Sequence, residues 1–169
     1  MKLIAIIENY LFKNMGTVKV GSVEIVRSGQ PGRIRRWIIY KLTKFRNIIN
    51  LADSPVKDEQ DPDEREWARK KGIGYYSFTW GAGGPTGPTN YDEVDQAVTL
   101  LSTLKSSIWV HCEGGKDRTG GLIGIFQARQ GCTWQEISKD WDPWYGEPAY
   151  GWLQAIQLEI DYRWLNILY

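Results

Sequence analysis

Cysteine and histidine are the scarce residues of this 169-residue chain, which has two cysteines, Cys112 and Cys132, and one histidine, His111. Two cysteines make no disulfide framework, and both are expected to be reduced. One histidine with two distant cysteines completes no zinc site, so neither a metal nor any other cofactor is expected. Long apolar runs are missing as well. The opening MKLIAIIENY has five apolar residues before Glu8, too few for a signal-peptide core, and nothing later approaches a membrane span. A cytoplasmic protein with no transmembrane segment is the expectation. Net charge is only +1, and no nucleic-acid-binding motif is present, so a nucleic-acid partner is set aside. Repeats, low-complexity tracts and interdomain linkers are absent too, so residues 1–169 read as one domain.

What the chain does contain is a globular composition, 42% hydrophobic and 24% charged, with nine tryptophans. The near-neutral total hides an uneven distribution. Residues 1–50 carry ten Lys/Arg against two acids, and residues 51–100 carry five against ten. The basic run Arg33, Arg35, Arg36, Lys41, Lys44, Arg46 fits a solvated helix face; the same residues would steer an anionic substrate or give peripheral contact with a membrane surface. Oligomeric state is not legible.

Strand and helix signals alternate along the chain. SVEIVRSGQPG reads as a strand stopping at Gln30-Pro31-Gly32, and RIRRWIIYKLTKF as an amphipathic helix with Ile34, Trp37, Ile38 and Leu42 opposite a basic face. NIINL is a short buried strand. DPDEREWARKKG carries helix punctuation, with Asp61 as N-cap, Pro62 at the first helical position, Glu64 at the third and Gly72 beyond the end. YYSFTW is a strand leading into the loop GAGGPTGPT. Asn90 and Glu93 open a helix to about Leu104, SSIWVHC is a strand, and TGGLIGIFQARQG is a helix. Thr133 with Glu136 forms a capping box, and AYGWLQAIQLEIDYRWLNILY is a long closing helix. This order implies an α/β fold, with a central, mostly parallel sheet of four to five strands and helices on both faces. Ligands bind such sheets outside the carboxyl ends of the strands. The stretch HCEGGKDRTG, residues 111–120, lies at that place.

Gly114, Gly115 and Gly120 free the backbone to curl, so that successive N–H groups point at one centre, and the following helix adds its positive N-terminal end. Such a cradle, formed by Glu113, Gly114, Gly115, Lys116, Asp117 and Arg118, suits a tetrahedral oxyanion. Arg118 offers a planar fork for two phosphate oxygens. A helix N-terminus and nearby cations favour the thiolate of Cys112, which is then placed to attack phosphorus and form a cysteinyl-phosphate that water hydrolyses. His111 would fix the loop geometry, and the Thr119 hydroxyl would donate to the sulfur.

His111-Cys112, five residues, then Arg118-Thr119-Gly120 is an HC-x5-R-T-G pattern. It resembles the cysteine-dependent phosphatases of the tyrosine/dual-specificity superfamily, of the small atypical dual-specificity type. VRSGQP, NIINL and IWVHC resemble the strands that precede the nucleophile there, so the likeness spans roughly residues 18–165. The resemblance implies that fold and hydrolysis of phosphate monoesters, with a phosphorylated substrate as partner. In most of that superfamily the acid for the leaving oxygen is an aspartate on an upstream loop, but WGAGGPTGPT has no acid. Asp92, in the first turns of a helix, is one substitute. Asp117 is the favoured one, because myotubularins and some bacterial phosphatases with a K-D-R-T-G ending use a loop aspartate; the competing role is to pair with a cation and shape the loop. Lys116 resembles the lysine of phosphoinositide phosphatases, whereas Glu113 stands where some of those have a second lysine. The resemblance thus implies an inositol lipid or inositol phosphate as the expected substrate, narrowly ahead of a phosphoprotein. A module that binds a phosphorylated partner without turnover is the alternative. For Cys132, burial as a small apolar residue outweighs a redox role.

Overall fold

The computed structural model describes residues 14–52, 62–78, 80, 88, 90–104, 106–141 and 148–167. Five strands form one sheet in the order β1-β2-β5-β3-β4: β1 Gly16–Val20, β2 Val23–Gly29, β3 Asn47–Asn50, β4 Gly74–Ser77 and β5 Ile108–Cys112. Pairing is parallel throughout except for the β1–β2 hairpin. Six helices are present among the described residues: α1 Arg33–Thr43, α2 Pro62–Lys71, α3 Tyr91–Thr103, α4 Asp117–Arg129, α5 Trp134–Lys139 and α6 Tyr150–Ile167. The mostly parallel α/β sheet expected from the sequence is therefore observed.

Strand periodicity sorts the core into two layers, since successive side chains point to opposite faces of the sheet. Val26, Ile48 and Trp109 pack with Ile39 and Phe45, around α1 and α2. Ile25, Ile49, Ile108, Val110 and Cys112 pack on the other face against α3, α4, α5 and α6. The same alternation separates two neighbours in sequence. His111 shares its face with Trp109, whose ring centroid lies 4.4 Å away, while the Cys112 side chain belongs to the opposite layer.

Two glycines let α6 press onto α4. A Cβ at Gly121 would sit 2.1 Å from Trp152, and one at Gly124 2.5 Å from Ile156. Capping proceeds as the sequence indicates. Asn90 accepts from the Asp92 and Glu93 amides, and Thr133 and Glu136 make a reciprocal capping box.

The chain departs from the sequence-based expectations in four places. First, α1 turns its apolar stripe outward: Ile34 is 77% exposed, Leu42 67% and Trp37 50%, while Arg36 and Ile39 face inward. The cause lies on α2, where buried Glu64 pairs with Arg36 and draws that arginine beneath the sheet. Second, Glu64 is therefore committed to the interior rather than to an N-terminal cap. Third, Val18 and Val20 form a hairpin strand before β2, closed by a turn at Gly21-Ser22 that the sequence reading passed over. Fourth, α4 begins at Asp117 rather than after the loop, so Gly120 lies inside its first turn. The Asp61 cap, the loop at 81–89 apart from Pro88, and residues 142–147 of the aromatic stretch lie outside the described residues. No described helix is long and apolar enough to cross a membrane.

Candidate active site

β5 is the central strand, paired with β2 on one side and β3 on the other, and it carries Cys112 at its carboxyl end. The chain then turns through Glu113–Lys116 into α4. Gly115 makes that turn possible. Its φ is +72°, and a Cβ there would lie 2.3 Å from the Gly29 amide nitrogen. In that conformation the Gly115 N–H donates to Cys112 Sγ at 3.1 Å. Gly114 has open space where a Cβ would be, one at Gly120 would crowd Pro148 at 3.2 Å and Arg27 Nη2 at 3.3 Å, and Gly115 alone of the three takes a left-handed φ.

The loop is clamped from below by β2 and its exit. Arg27, 3% exposed, donates from Nη2 to the Gly115 carbonyl at 3.0 Å and from Nη1 to the Asp140 carbonyl at 3.4 Å. The Gln30 amide reaches the Glu113 carbonyl at 3.3 Å, and Asn14 donates to that of Gly114. Arg27 belongs to the VRSGQP segment, but its role beneath the loop was not read from the sequence. A lone basic residue near the end of the strand VEIVRSG was the available signal.

Arg118 enters the site from the first turn of α4. Its Nη1 donates to the carbonyls of Leu51 (2.8 Å) and Trp80 (3.1 Å), and its Nη2 lies 3.9 Å from the exposed Glu113 carboxylate. Two carbonyls that follow β3 and β4 thus fix the guanidinium beside the loop. Lys116 is half-buried at the N-cap position of α4. Asp117 is engaged elsewhere by one oxygen: Oδ1 accepts from the Ala149 amide at 2.8 Å, tying the start of α4 to that of α6. Asp92 is exposed in the first turn of α3, where Asn90 caps its amide. Thr119 is fully buried, and Oγ1 has no hydrogen-bond partner among the described residues; the sulfur takes its bond from the Gly115 amide instead. Cys132 is half-buried against the core, and its thiol is pushed up by burial and by Glu136 and Asp140.

Beneath the sheet lies a polar cluster that the sequence did not reveal. His111 Nε2 is 3.0 Å from Glu64 Oε2, with both side chains fully buried. Arg36 Nη1 stands 3.7 Å from Glu64 Oε1, and the Tyr75 hydroxyl reaches Glu64 Oε2 at 3.4 Å. Asn50 donates to Glu64 (3.3 Å) and to Tyr75 (2.8 Å), and its Oδ1 accepts from the Ala52 amide at 2.7 Å. Burial pushes the Glu64 carboxyl up, but His111, Arg36 and Tyr75 together outweigh it and hold the group below the usual carboxylate range. Glu64 sits in a run of charges where burial has no sequence signature.

The arrangement joins a thiol bonded to a backbone amide, the positive end of a 13-residue helix and an anchored guanidinium. Groups placed in this way can hold an anion beside a thiol. No group of metal-ligating side chains occurs among the described residues.

Comparison with known proteins bears on this arrangement. Inositol diphosphatase DSP3 of Arabidopsis thaliana is 32% identical over 108 residues, 63% of this chain and 51% of that protein, so the chain spans about half the length of this curated relative. The fold is similar to that of PTPMT1, with a TM-score of 0.67 at 11% identity over 90% of this chain and 99% of that one; PTPMT1 has also been solved with PI(5)P. It is likewise similar to the core catalytic domain of the PP-IP phosphatase SIW14 from S. cerevisiae, solved with citrate, with a TM-score of 0.64 at 20% identity over 91% and 90%. Residues 57–142, about half of the chain and including the whole Cys112–Arg118 loop, match the tyrosine phosphatase family, and the chain belongs to that family.

Proposed function

We propose that residues 1–169 act as one cysteine-dependent phosphatase unit that hydrolyses phosphate monoesters. The observation that carries this reading is the Gly115 amide held 3.1 Å from Cys112 Sγ at the head of α4. A backbone donor on the sulfur stabilises its anionic form. The thiolate attacks phosphorus, an S–P bond forms, and the bond to the ester oxygen breaks. A protonated acid supplies the leaving oxygen with its proton, and water then cleaves the S–P bond. Arg118 binds the equatorial oxygens through the nitrogens its two carbonyl bonds leave free. Asp117 is the proposed acid: Ala149 occupies Oδ1, which leaves Oδ2 for the proton. His111 acts from the far side of the sheet, and buried Thr119 sits close behind the loop.

The proposed substrate is a polyanionic inositol phosphate or phosphoinositide. Lys116 adds a second cation to the cradle, and the similar proteins DSP3 and SIW14 are named an inositol diphosphatase and a PP-IP phosphatase. Glu113 opposes this with a negative charge 3.9 Å from Arg118, softened by its 82% exposure to water. Hydrolysis of an aryl phosphate by wild type and by Cys112→Ser tests the reaction, and initial rates on inositol phosphates, phosphoinositide vesicles and a phosphotyrosine peptide test the class. Turnover that survives the serine change refutes the nucleophile. Preference for the peptide refutes the inositol reading. Binding of phosphate esters without wild-type turnover identifies a recognition module instead.

A further inference from the structure

Apart from His111, the cluster beneath the nucleophile has no place in the reaction described above. Glu64 is a carboxylate with no exposure, contributed by a surface helix whose other acids, Asp63 and Glu66, pair with Arg33, Arg69 and Lys70 near solvent. A buried charge of this kind is costly unless partners hold it. The partners of Glu64 among the described residues lie behind the site: His111 on β5, Arg36 on α1, Asn50 on β3 and Tyr75 on β4. Four elements of the fold therefore converge on one carboxylate, and that carboxylate touches the residue next to Cys112.

We propose that Glu64 is a positioning residue for the nucleophile, acting through His111. An ionised carboxylate only accepts hydrogen bonds, so the ring nitrogen facing it, Nε2, carries a proton. The ring plane is set by that bond and by Trp109 stacked 4.4 Å away. Nδ1 of the ring has no hydrogen-bond partner among the described residues, so the bond to Glu64 is the polar contact that orients the imidazole. His111 and Cys112 point to opposite faces of the sheet, so the ring influences the sulfur through the strand end, not by direct contact. His111 precedes Cys112 in β5, so a ring held in one orientation holds the strand end from which the loop carries the Gly115 amide to the sulfur. A neutral amide is a weaker acceptor than a carboxylate, so removing the charge loosens the ring, the strand end and the Gly115 bond to the sulfur. The groups that set the sulfur from its own side are Lys116, Asp117, Arg118 and Glu113 on the loop, and Glu64→Gln leaves all four in place.

This inference rests on Cys112 being the nucleophile, but its test reads the thiol directly and does not need turnover. The pH dependence of alkylation by iodoacetate is followed at Cys112 by peptide mass spectrometry, which separates it from Cys132. Glu64→Gln keeps the volume and an acceptor oxygen while deleting the charge. The expected result is an alkylation midpoint raised by about one pH unit, a tenfold change in thiolate fraction below the midpoint. On an aryl phosphate, kcat falls about tenfold with KM within roughly twofold, as expected for loss of nucleophile activation and not of binding. In a His111→Asn background, Glu64→Gln is expected to shift the midpoint no further. Tyr75→Phe, which removes one hydrogen bond to Glu64 and no charge, gives a smaller shift of the same sign and serves if the glutamine variant does not fold. An unchanged midpoint in folded Glu64→Gln overturns the inference, as does a shift equally large with and without His111. An inactive wild type with the expected midpoint shift would count against the proposed reaction alone.

Discussion

Replacing Gly115 by alanine tests the loop geometry at its tightest point. The new methyl would lie 2.3 Å from the Gly29 nitrogen, 2.4 Å from the Ser28 carbonyl carbon and 2.7 Å from its oxygen. All three are backbone atoms of β2, which is itself paired with β5, so no side chain can swing away to relieve the contact. A left-handed φ costs an L-residue about 1–2 kcal/mol. Forcing backbone apart in a packed interior adds about 1–3 kcal/mol. Together these lower the melting temperature by roughly 5–15 °C for a chain of this size. The same displacement pulls the Gly115 amide off the sulfur, and misplacement by about 1 Å costs on the order of 10²-fold in rate. Circular dichroism melts and initial rates on an aryl phosphate measure both. Gly114→Ala is the control for stability, because a Cβ there meets nothing within 4 Å, and its melt should stay close to wild type. A Gly115→Ala protein that melts with wild type and turns over at full rate would refute the reasoning.

Three further outcomes follow from the described contacts. Arg118→Lys keeps the charge but loses the fork, and kcat should fall by roughly 10²–10³-fold, with a melt to separate this from loss of the Leu51 and Trp80 carbonyl bonds. Asp117→Asn preserves an acceptor for the Ala149 amide while removing the acid, so it should slow esters with poor leaving groups far more than aryl phosphates, whereas Asp92→Asn should not; equal sensitivity in wild type and Asp117→Asn excludes Asp117 as the acid. Glu64 is held below its ordinary value of 4.5 in the folded chain, so its contribution is complete above that pH and is lost as pH falls through the folded value. Urea unfolding at pH 7 and at more acidic pH should therefore show the gap between wild type and Glu64→Gln closing on acidification; a gap that widens reverses the sign and contradicts the assignment.

Local signals in the sequence were translated faithfully where a single element decides the outcome. The Thr133–Glu136 box, the Asn90 cap and the apolar strand IWVHC needed only their own neighbours. The tyrosine phosphatase family was legible for the same reason, since the HC-x5-R-T-G pattern is contiguous. What stayed hidden depends on partners distant in the chain. Helix α1 has the period of an amphipathic helix, yet it buries Arg36 because Glu64 lies opposite, and it leaves Ile34 and Leu42 in solvent. Glu64 itself occupies a position where helix capping predicts a glutamate anyway, so nothing local marked it as buried. The requirement at Gly115 was likewise masked by two neighbouring glycines whose backbone conformations do not demand glycine.

The central claim is that Cys112 carries the phosphoryl group during turnover. Rapid acid quench of wild-type protein turning over a ³²P-labelled aryl phosphate, followed by digestion and peptide mapping, reads this directly. Label on the peptide containing Cys112, and none in Cys112→Ser, is the predicted result. Steady turnover with no label on that peptide, or turnover retained by Cys112→Ser, would contradict it.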